Sequence, residues 1–447
     1  MNKIEFIYSL FKECNFTVCT DTRKITANSL FIALKGPNFD ANLLCEEALQ
    51  KGCRYAITDN PNNTKSQQIF LVEDGLKCLQ DLAKYHREQL IKIPIIAVTG
   101  SNGKTTTKEL ITKVLEKKYK VHATPGNFNN HIGLPLTLLQ LRQEHQIAVI
   151  EMGANHPGEI EELCNICLPD YGVITSIGKE HLEGFGTIEG VMKTNGELYE
   201  YLYQHSKTIF IQKDNATLVN ILKQFTQYTL HDKNIICYGE KDTSNFIFGE
   251  EVENKDDIFV KFKWQTNISV NAESIIHTKL MARHNFINAL CAVTIGKYFQ
   301  VDDKQINTAI SEYLPNKNRM QWQETKHNKI ILDAYNANPT SMLAALEFFK
   351  NITLPLQKLL IIGDMFEMGE HAHQEHQDVV TWLNKNFSSQ VILVGKEFFN
   401  TENSNIYNKF DTTEGALKFL EQQNITNHLI LIKASRGMQL ERALHHL

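Results

Sequence analysis

The stretch VTGSNGKTTT, residues 98–107, carries most parts of a phosphate-binding loop. The general pattern is G-x-x-x-x-G-K-[ST]: glycines let the backbone approach an anion, the lysine neutralises β/γ-phosphate oxygens, and the hydroxyl ligates Mg²⁺. Here Gly100 and Gly103 give the backbone that freedom, Lys104 supplies the cation and Thr105 the hydroxyl, while Val98 stands where the first glycine belongs. A glycine-containing turn without function is the alternative. The position of the loop, between an apolar strand and an amphipathic helix, favours the phosphate site.

Two further residues could join it. IAVIEMG (147–153) carries Glu151 at the end of a strand, and YGVITSIG (171–178) runs into KEHLEGFG, which brings His181. A carboxylate and an imidazole beside a phosphate loop can hold metal ions that bridge phosphates, although each alone is a common loop residue. Further on, Arg319 precedes ILDAYNANPTSM, where Asp333, Tyr335, Asn336 and Asn338 offer acceptors and donors for ribose, phosphate or peptide groups. A polar turn leading through Pro339 into a helix is the plain alternative. Cys164 and Cys167 form a C-x-x-C without a second pair, which reads as two half-buried helix thiols rather than zinc ligands. His371, His373 and His376 in GEHAHQEHQD (369–378) read as a solvated helix start.

The elements that must position these residues follow from periodicity. SLFIAL (29–34), YAIT (55–58) and IFLV (69–72) read as strands, and DGLKCLQDLAKYHREQL (74–90) as a helix with a polar, charged tail. IPIIAV (93–98) is apolar at every position, as a strand covered on both faces should be. The loop comes next, then a helix over KELITKVLEKKY (108–119), with Leu110, Ile111, Val114 and Leu115 at helical spacing. TIFIQ (208–212) is another strand. IFVKFKW (258–264) alternates, with Ile258, Val260, Phe262 and Trp264 on one face, so an antiparallel insertion at the sheet edge is expected. A helix over HNFINALCAVTIGKYF (284–299) closes this part. The last part has four strands, KIILDAY (329–335), KLLIIGD (358–364), QVILVG (390–395) and LILIKAS (429–435), and reads as a second doubly wound sheet. The fold class is therefore α/β in three domains: a small α/β domain over 1–90, a parallel-sheet phosphate-loop domain with an antiparallel insertion over 91–314, and a Rossmann-like domain over 315–447. In such sheets ligands bind beyond the carboxyl ends of the strands.

Composition narrows the function. A net charge of -5 and no dense Lys/Arg block give no electrostatic support for nucleic acid or a membrane surface. No apolar run approaches the roughly 20 residues that span a bilayer, and the opening MNKIEFIYSLFKECNF lacks the marks of a signal peptide. Nine cysteines, scattered and odd in number, suit a reducing cytosol, and a cytoplasmic monomer is expected.

Taken together, these residues resemble the Mur ligase family, ATP-dependent amide-forming enzymes of peptidoglycan assembly. Members share a shortened loop, T-G-[ST]-N-G-K-[ST]-T, so the missing glycine is the family's own variant. The resemblance extends over the chain through GNFNNHIGLP (126–135), EMGANHPGEI (151–160), HLEGFG (181–186), HNFINAL (284–290), DAYNANP (333–339), GDMFEMGE (363–370) and KASRGM (433–438). DAYNANP and GDMFEMGE look like the branch that adds D-alanyl-D-alanine to UDP-N-acetylmuramoyl-tripeptide. DTRKI (21–25) and SLFIALKGPNFDAN (29–42) resemble its uridine-binding domain. A sister ligase, a folylpolyglutamate synthase-like enzyme, or a catalytically silent nucleotide-binding relative are the alternatives.

The resemblance implies roles. Thr99, Gly100, Ser101, Asn102, Gly103, Lys104, Thr105 and Thr106 would cradle the ATP phosphates, and Asn285 and Asn288 would meet adenine. Arg319 would reach the phosphates and Asp333 the ribose, while Thr105, Glu151 and His181 would bind Mg²⁺. Lys104, Glu151, His181 and Arg319 would carry catalysis through an acyl phosphate. Thr22, Arg23, Lys35 and Gly36 would contact the UDP moiety, Asn127 and Asn130 the muramoyl peptide, and Asn336, Asn338, Ser435 and Arg436 the incoming dipeptide. Three departures, Ala41, Ala282 and Ala434 at usual glycines, look like tolerable backbone changes. At Asn195 most members carry a lysine that CO₂ carbamylates to help fix a second Mg²⁺. Asparagine cannot be carbamylated in this way but could offer its amide oxygen to the metal. Lys193 and Glu197 lie on other faces of the helix.

Overall fold

The computed structural model describes residues 3–63, 66–252, 257–267, 275–315, 318–402 and 407–447. Its three main sheets follow one another along the chain. The first has four parallel strands, Val18–Cys19, Leu30–Ile32, Tyr55–Thr58 and Ile69–Leu71. The second has nine strands between residues 95 and 281. The third has six between 321 and 433. This is an α/β fold built on parallel-dominated sheets.

In the large sheet the strand Ile95–Thr99 lies between Ile147–Glu151 and Tyr171–Ile174, both parallel to it. All five of its residues are buried, as an apolar run requires when helices cover both faces. Ile95 and Ala97 face one core, with Ile150 and Ile174; Ile96 and Val98 face the other, with Leu110, Val114 and Leu290. The sheet ends in antiparallel pairing, Ile247–Glu251 with Phe259–Thr266 and that with Ile276–Met281, the edge insertion that the alternating sequence implies. Val260, Phe262 and Trp264 bury together, but Ile258 precedes the strand and packs with the C-terminal core instead.

Several expectations need correction. The helix after the loop runs Lys104–Leu115, not 108–119. Its first turn, KTTT, is polar and so invisible to an apolar period, yet Gly103 at φ 86° serves as its N-cap. The helix Gly75–Gln89 ends in the expected polar, charged tail, but His86 and Arg87 in it are buried while Glu88 and Gln89 are exposed. His376 is fully buried too: its Nε2 accepts from Met365 N at 2.9 Å, which ties the helix Ala372–Asn386 to the preceding loop. The third sheet gains the edge strands Gln321–Glu324 and Asn408–Phe410, too short and polar to alternate. Cys164 and Cys167 are wholly rather than half buried, and burial pushes the Cys167 thiol up to about 12. Ala41 and Ala434 have ordinary backbone, but Ala282 sits at φ 65°, ψ 144°, a region that favours glycine.

Arg87 fixes the seam between the first helix-capped sheet and the second. Its Nε donates to Cys167 O (3.1 Å), Nη1 to Leu90 O and Ile93 O (both 2.9 Å), and Nη2 to Leu168 O (3.1 Å) and Asp170 Oδ2 (3.0 Å). All five guanidinium donors are thereby used in a side chain of zero exposure. Arg87→Met would leave four carbonyls and a partly buried carboxylate short of a partner. It is expected to lower unfolding free energy by about 3–5 kcal/mol, read by denaturant titration.

Candidate active site

The carboxyl ends of the second and third sheets face one cavity of about 750 Å³. Glu151 ends its strand there, the chain leaving Ile174 enters it at Thr175, and from the other sheet come Asp333 and Lys433. Parallel strands converge their carboxyl ends, and the helix N-termini that follow them, on this space, which suits an anionic ligand.

The phosphate loop is held from behind by the segment after Ile174. Thr175 Oγ1 donates to Thr99 O (3.2 Å) and Asn102 O (2.7 Å), and Ser101 N donates to Ser176 O (2.8 Å). Ser101 Oγ donates to Gly178 O (3.1 Å) and accepts from Gly178 N (2.9 Å). Gly100 is obligatory here: φ is 128°, and a Cβ would lie 2.3 Å from Thr175 Oγ1. Gly103 backs onto Asn288, whose Nδ2 donates to Asn285 Oδ1 at 3.0 Å, so both predicted adenine contacts lie beside the loop. Lys104 Nζ donates to Gly100 O and Ser101 O and lies 3.4 Å from Glu180 Oε2.

Glu151 is almost fully buried. Its Oε1 accepts from Thr105 Oγ1 (3.1 Å) and Asn129 Nδ2 (2.8 Å), while Oε2 is buried with no hydrogen bond. A buried carboxylate oxygen left unsatisfied beside a loop hydroxyl fits a divalent cation. Among the described residues no three His, Cys, Asp or Glu side chains could hold a metal ion by themselves. His181 lines the same cavity, with Nδ1 at 2.6 Å from Glu367 Oε2.

On the opposite wall Arg319, Asp333, Asn336 and Arg436 all line the cavity. The Arg319 guanidinium lies 3.7 Å from the centre of the Tyr335 ring and that of Arg436 5.3 Å, so one aromatic ring supports both cations. Arg319 Nε is buried and makes no hydrogen bond. Asp333 accepts from Lys433 Nζ (2.6 Å) and Met320 N (3.1 Å). Asn338 and Ser435 are not lining residues. Asn338 caps the helix Pro339–Asn351 and donates to Asn102 Oδ1 (3.1 Å), and Ser435 Oγ accepts from Phe366 N (2.9 Å).

Thr106, Asn127 and Asn130 also border the cavity; Thr22, Arg23, Lys35 and Gly36 do not. The latter four follow the carboxyl ends of adjacent parallel strands in the first sheet, where Arg23 pairs with both oxygens of Asp21 at 2.9 Å. Asn195 does not line the cavity either. Its Oδ1 accepts from Thr99 Oγ1 and its Nδ2 donates to Val191 O, both at 3.0 Å, so the amide oxygen is already engaged. Glu197 accepts from Gly158 N (2.9 Å) and Glu161 N (3.0 Å) at the start of another helix. Sequence reasoning passed over Glu180, Asn129 and Glu367, although each stands inside a quoted motif, because spacing does not say which of several adjacent polar residues turns inward.

Residues 98–296 match the Mur ligase middle domain, and residues 318–437 match the Mur ligase, glutamate ligase domain. The UDP-N-acetylmuramoyl-tripeptide–D-alanyl-D-alanine ligase of Bacillus subtilis (strain 168) is 33% identical, over 96% of this chain and 92% of its own. The chain belongs to the Mur ligase family. Among solved structures, MurF from Acinetobacter baumannii superposes with a TM-score of 0.83 at 28% identity, covering 96% of this chain and 92% of its own. The MurF ligase from Thermotoga maritima, solved in complex with ADP, gives 0.80 at 25% identity, covering 100% and 98%. In this Mur ligase the Tyr335 ring face, rather than its hydroxyl, touches the two arginines. Tyr335→Phe should therefore hold kcat/KM within about threefold, whereas Tyr335→Leu forfeits two contacts of about 0.5–2 kcal/mol each and should lower it about fivefold or more. Steady-state ADP release measures both.

Proposed function

We propose that this Mur ligase joins D-alanyl-D-alanine to UDP-N-acetylmuramoyl-tripeptide, cleaving ATP to ADP and phosphate. The observation that carries the reading is the shared cavity: a phosphate loop with its lysine on one wall, and two ring-supported arginines on the other. Near-full-length similarity to ligases of that name supports it.

The terminal carboxylate of the tripeptide attacks the γ-phosphorus of ATP, forming an acyl phosphate and releasing ADP. The dipeptide amine then attacks the acyl carbon, phosphate leaves, and the amine's proton is lost to solvent or base. A carboxylate is a poor acyl donor, so phosphate supplies the leaving group. Lys104 and Arg319 offset the charge spread over the transferring phosphoryl oxygens from opposite sides. Thr105 and Glu151 would hold Mg²⁺, with His181 nearby, and the bound ion supplies charge neutralisation at the phosphates. Asn285 and Asn288 would border adenine and Asp333 the ribose. Asn127 and Asn130 are placed for the muramoyl peptide, and Asn336 and Arg436 for the dipeptide. Asn338 and Ser435 would support that wall from within the fold.

The segments 1–90, 91–314 and 315–447 would serve as the uridine-binding, ATP-binding and dipeptide-binding units. Arg23 would exchange Asp21 for the diphosphate. Nine free thiols suit the cytoplasm, where we place the enzyme as a monomer. No helix among the described residues is long and apolar enough to cross a membrane.

Phosphate release should require ATP, Mg²⁺, the UDP-tripeptide and D-alanyl-D-alanine together, each omitted in turn. Lys104→Ala should lower turnover by about 100- to 1000-fold or more with an unchanged melting profile; near-normal ligation in that variant refutes the ATP assignment. The engaged, non-nucleophilic amide of Asn195 sets a second expectation: turnover is indifferent to bicarbonate at every Mg²⁺ concentration, and Asn195→Lys gains a bicarbonate response. Activation of the unaltered protein by bicarbonate contradicts it.

A further inference from the structure

His181 and Glu367 meet across the boundary between the second and third sheets, and neither sits in relaxed backbone. His181 has φ 43° and Glu367 φ 64°, the left-handed region that residues other than glycine seldom occupy. Such conformations persist where the surroundings over-determine them, and they gather at working sites. Here the surroundings are a second set of contacts on the same strip. Glu183 N donates to Glu367 O (3.3 Å), Lys179 N donates to Thr340 Oγ1 (3.0 Å), and Lys179 Nζ reaches Glu375 Oε1 (2.5 Å). The strip 178–183 is thus gripped by three separate segments of the C-terminal unit.

The contact of His181 differs from the others in what it leaves open. Nδ1 lies 2.6 Å from Glu367 Oε2, and a carboxylate can only accept, so Nδ1 carries the hydrogen. Nε2 has no hydrogen bond to a described residue, and both His181 and Glu367 line the cavity that holds the phosphate loop. A carboxylate on one imidazole nitrogen fixes the tautomer and the ring plane, and so fixes what the other nitrogen presents.

We propose that Glu367 is a positioning residue of the C-terminal unit that sets His181: docking of that unit places the carboxylate on Nδ1, and the ring held in this way turns Nε2 toward the reacting phosphates and their cation. The inference rests on the ligase reading for the identity of what Nε2 meets. The histidine geometry itself does not depend on it.

The test compares Glu367→Ala with Glu375→Gln, which removes the charge from the neighbouring cross-boundary pair without touching His181. With ¹⁵N-labelled histidine, and His181→Gln to identify the signal, the unaltered protein should show His181 as the Nδ1–H tautomer and Glu367→Ala should show a mixture. In the ADP-bound protein, Glu367→Ala should weaken Mn²⁺ binding, followed by its paramagnetic resonance signal, about 10- to 100-fold. It should lower kcat by a similar factor while each KM stays within about threefold. Glu375→Gln should alter neither the tautomer nor Mn²⁺ affinity. Glu367→Asp, which keeps the charge but withdraws the carboxylate by one methylene, gives the same readings should the alanine variant fail to fold. An unchanged His181 tautomer in Glu367→Ala or Glu367→Asp overturns the proposal, as does equal behaviour of the Glu367 and Glu375 variants. If the unaltered protein releases no phosphate with any substrate set, the ligase reading fails, while the tautomer measurement still decides the positioning role.

Discussion

Residues 175–183 are bonded along both edges. On one side Thr175, Ser176 and Gly178 take up the backbone and hydroxyl groups of the phosphate loop; on the other, Lys179, His181 and Glu183 meet the C-terminal unit. Packed protein does not deform smoothly. The strip therefore ties the geometry of the phosphate loop to its contacts with the third sheet's side of the molecule. The two ring-supported arginines belong to the side of the third sheet, while the lysine belongs to that of the second.

Much of the fold was legible in sequence, and the reason is chemical uniformity. Ile95–Thr99 and Leu359–Ile362 are runs in which nearly every side chain must leave water, and such runs have few structural solutions. Glu151 and Asp333 reach the cavity because strand ends in parallel sheets are where loops converge. What escaped was whatever depended on an inward or outward turn of a polar side chain. In GNFNNH the three asparagines are equivalent by spacing, yet it is Asn129 that reaches Glu151. Arg87 reads as an ordinary cation at a helix end, and only the folded chain reveals five carbonyl and carboxylate oxygens arranged around it. Glu367 and His181 lie far apart in sequence, and nothing local to either points to the other.

The two walls of the cavity differ in character. The loop wall is held by short hydroxyl side chains bonded to backbone groups and offers N–H groups and one lysine. The opposite wall is built from long side chains, Arg319, Arg436 and Lys433, ordered by a ring and a carboxylate. Side-chain walls lose more conformational freedom when they close than backbone walls do. The ring and the carboxylate hold these side chains in place and so lessen that cost.

Ala282 carries a methyl group at φ 65°, ψ 144°, immediately before the helix that brings Asn285 and Asn288 to the loop. Glycine would relax that backbone in the folded chain, a gain on the order of 1–3 kcal/mol. It would also enlarge the repertoire of the unfolded chain, which takes back about 0.4–1 kcal/mol. The two terms oppose each other, and over most of their ranges the relaxation of the folded backbone is the larger. With alanine there, the helix entrance is kept in place by the tertiary contacts of Phe286 and Leu290 rather than by local backbone preference.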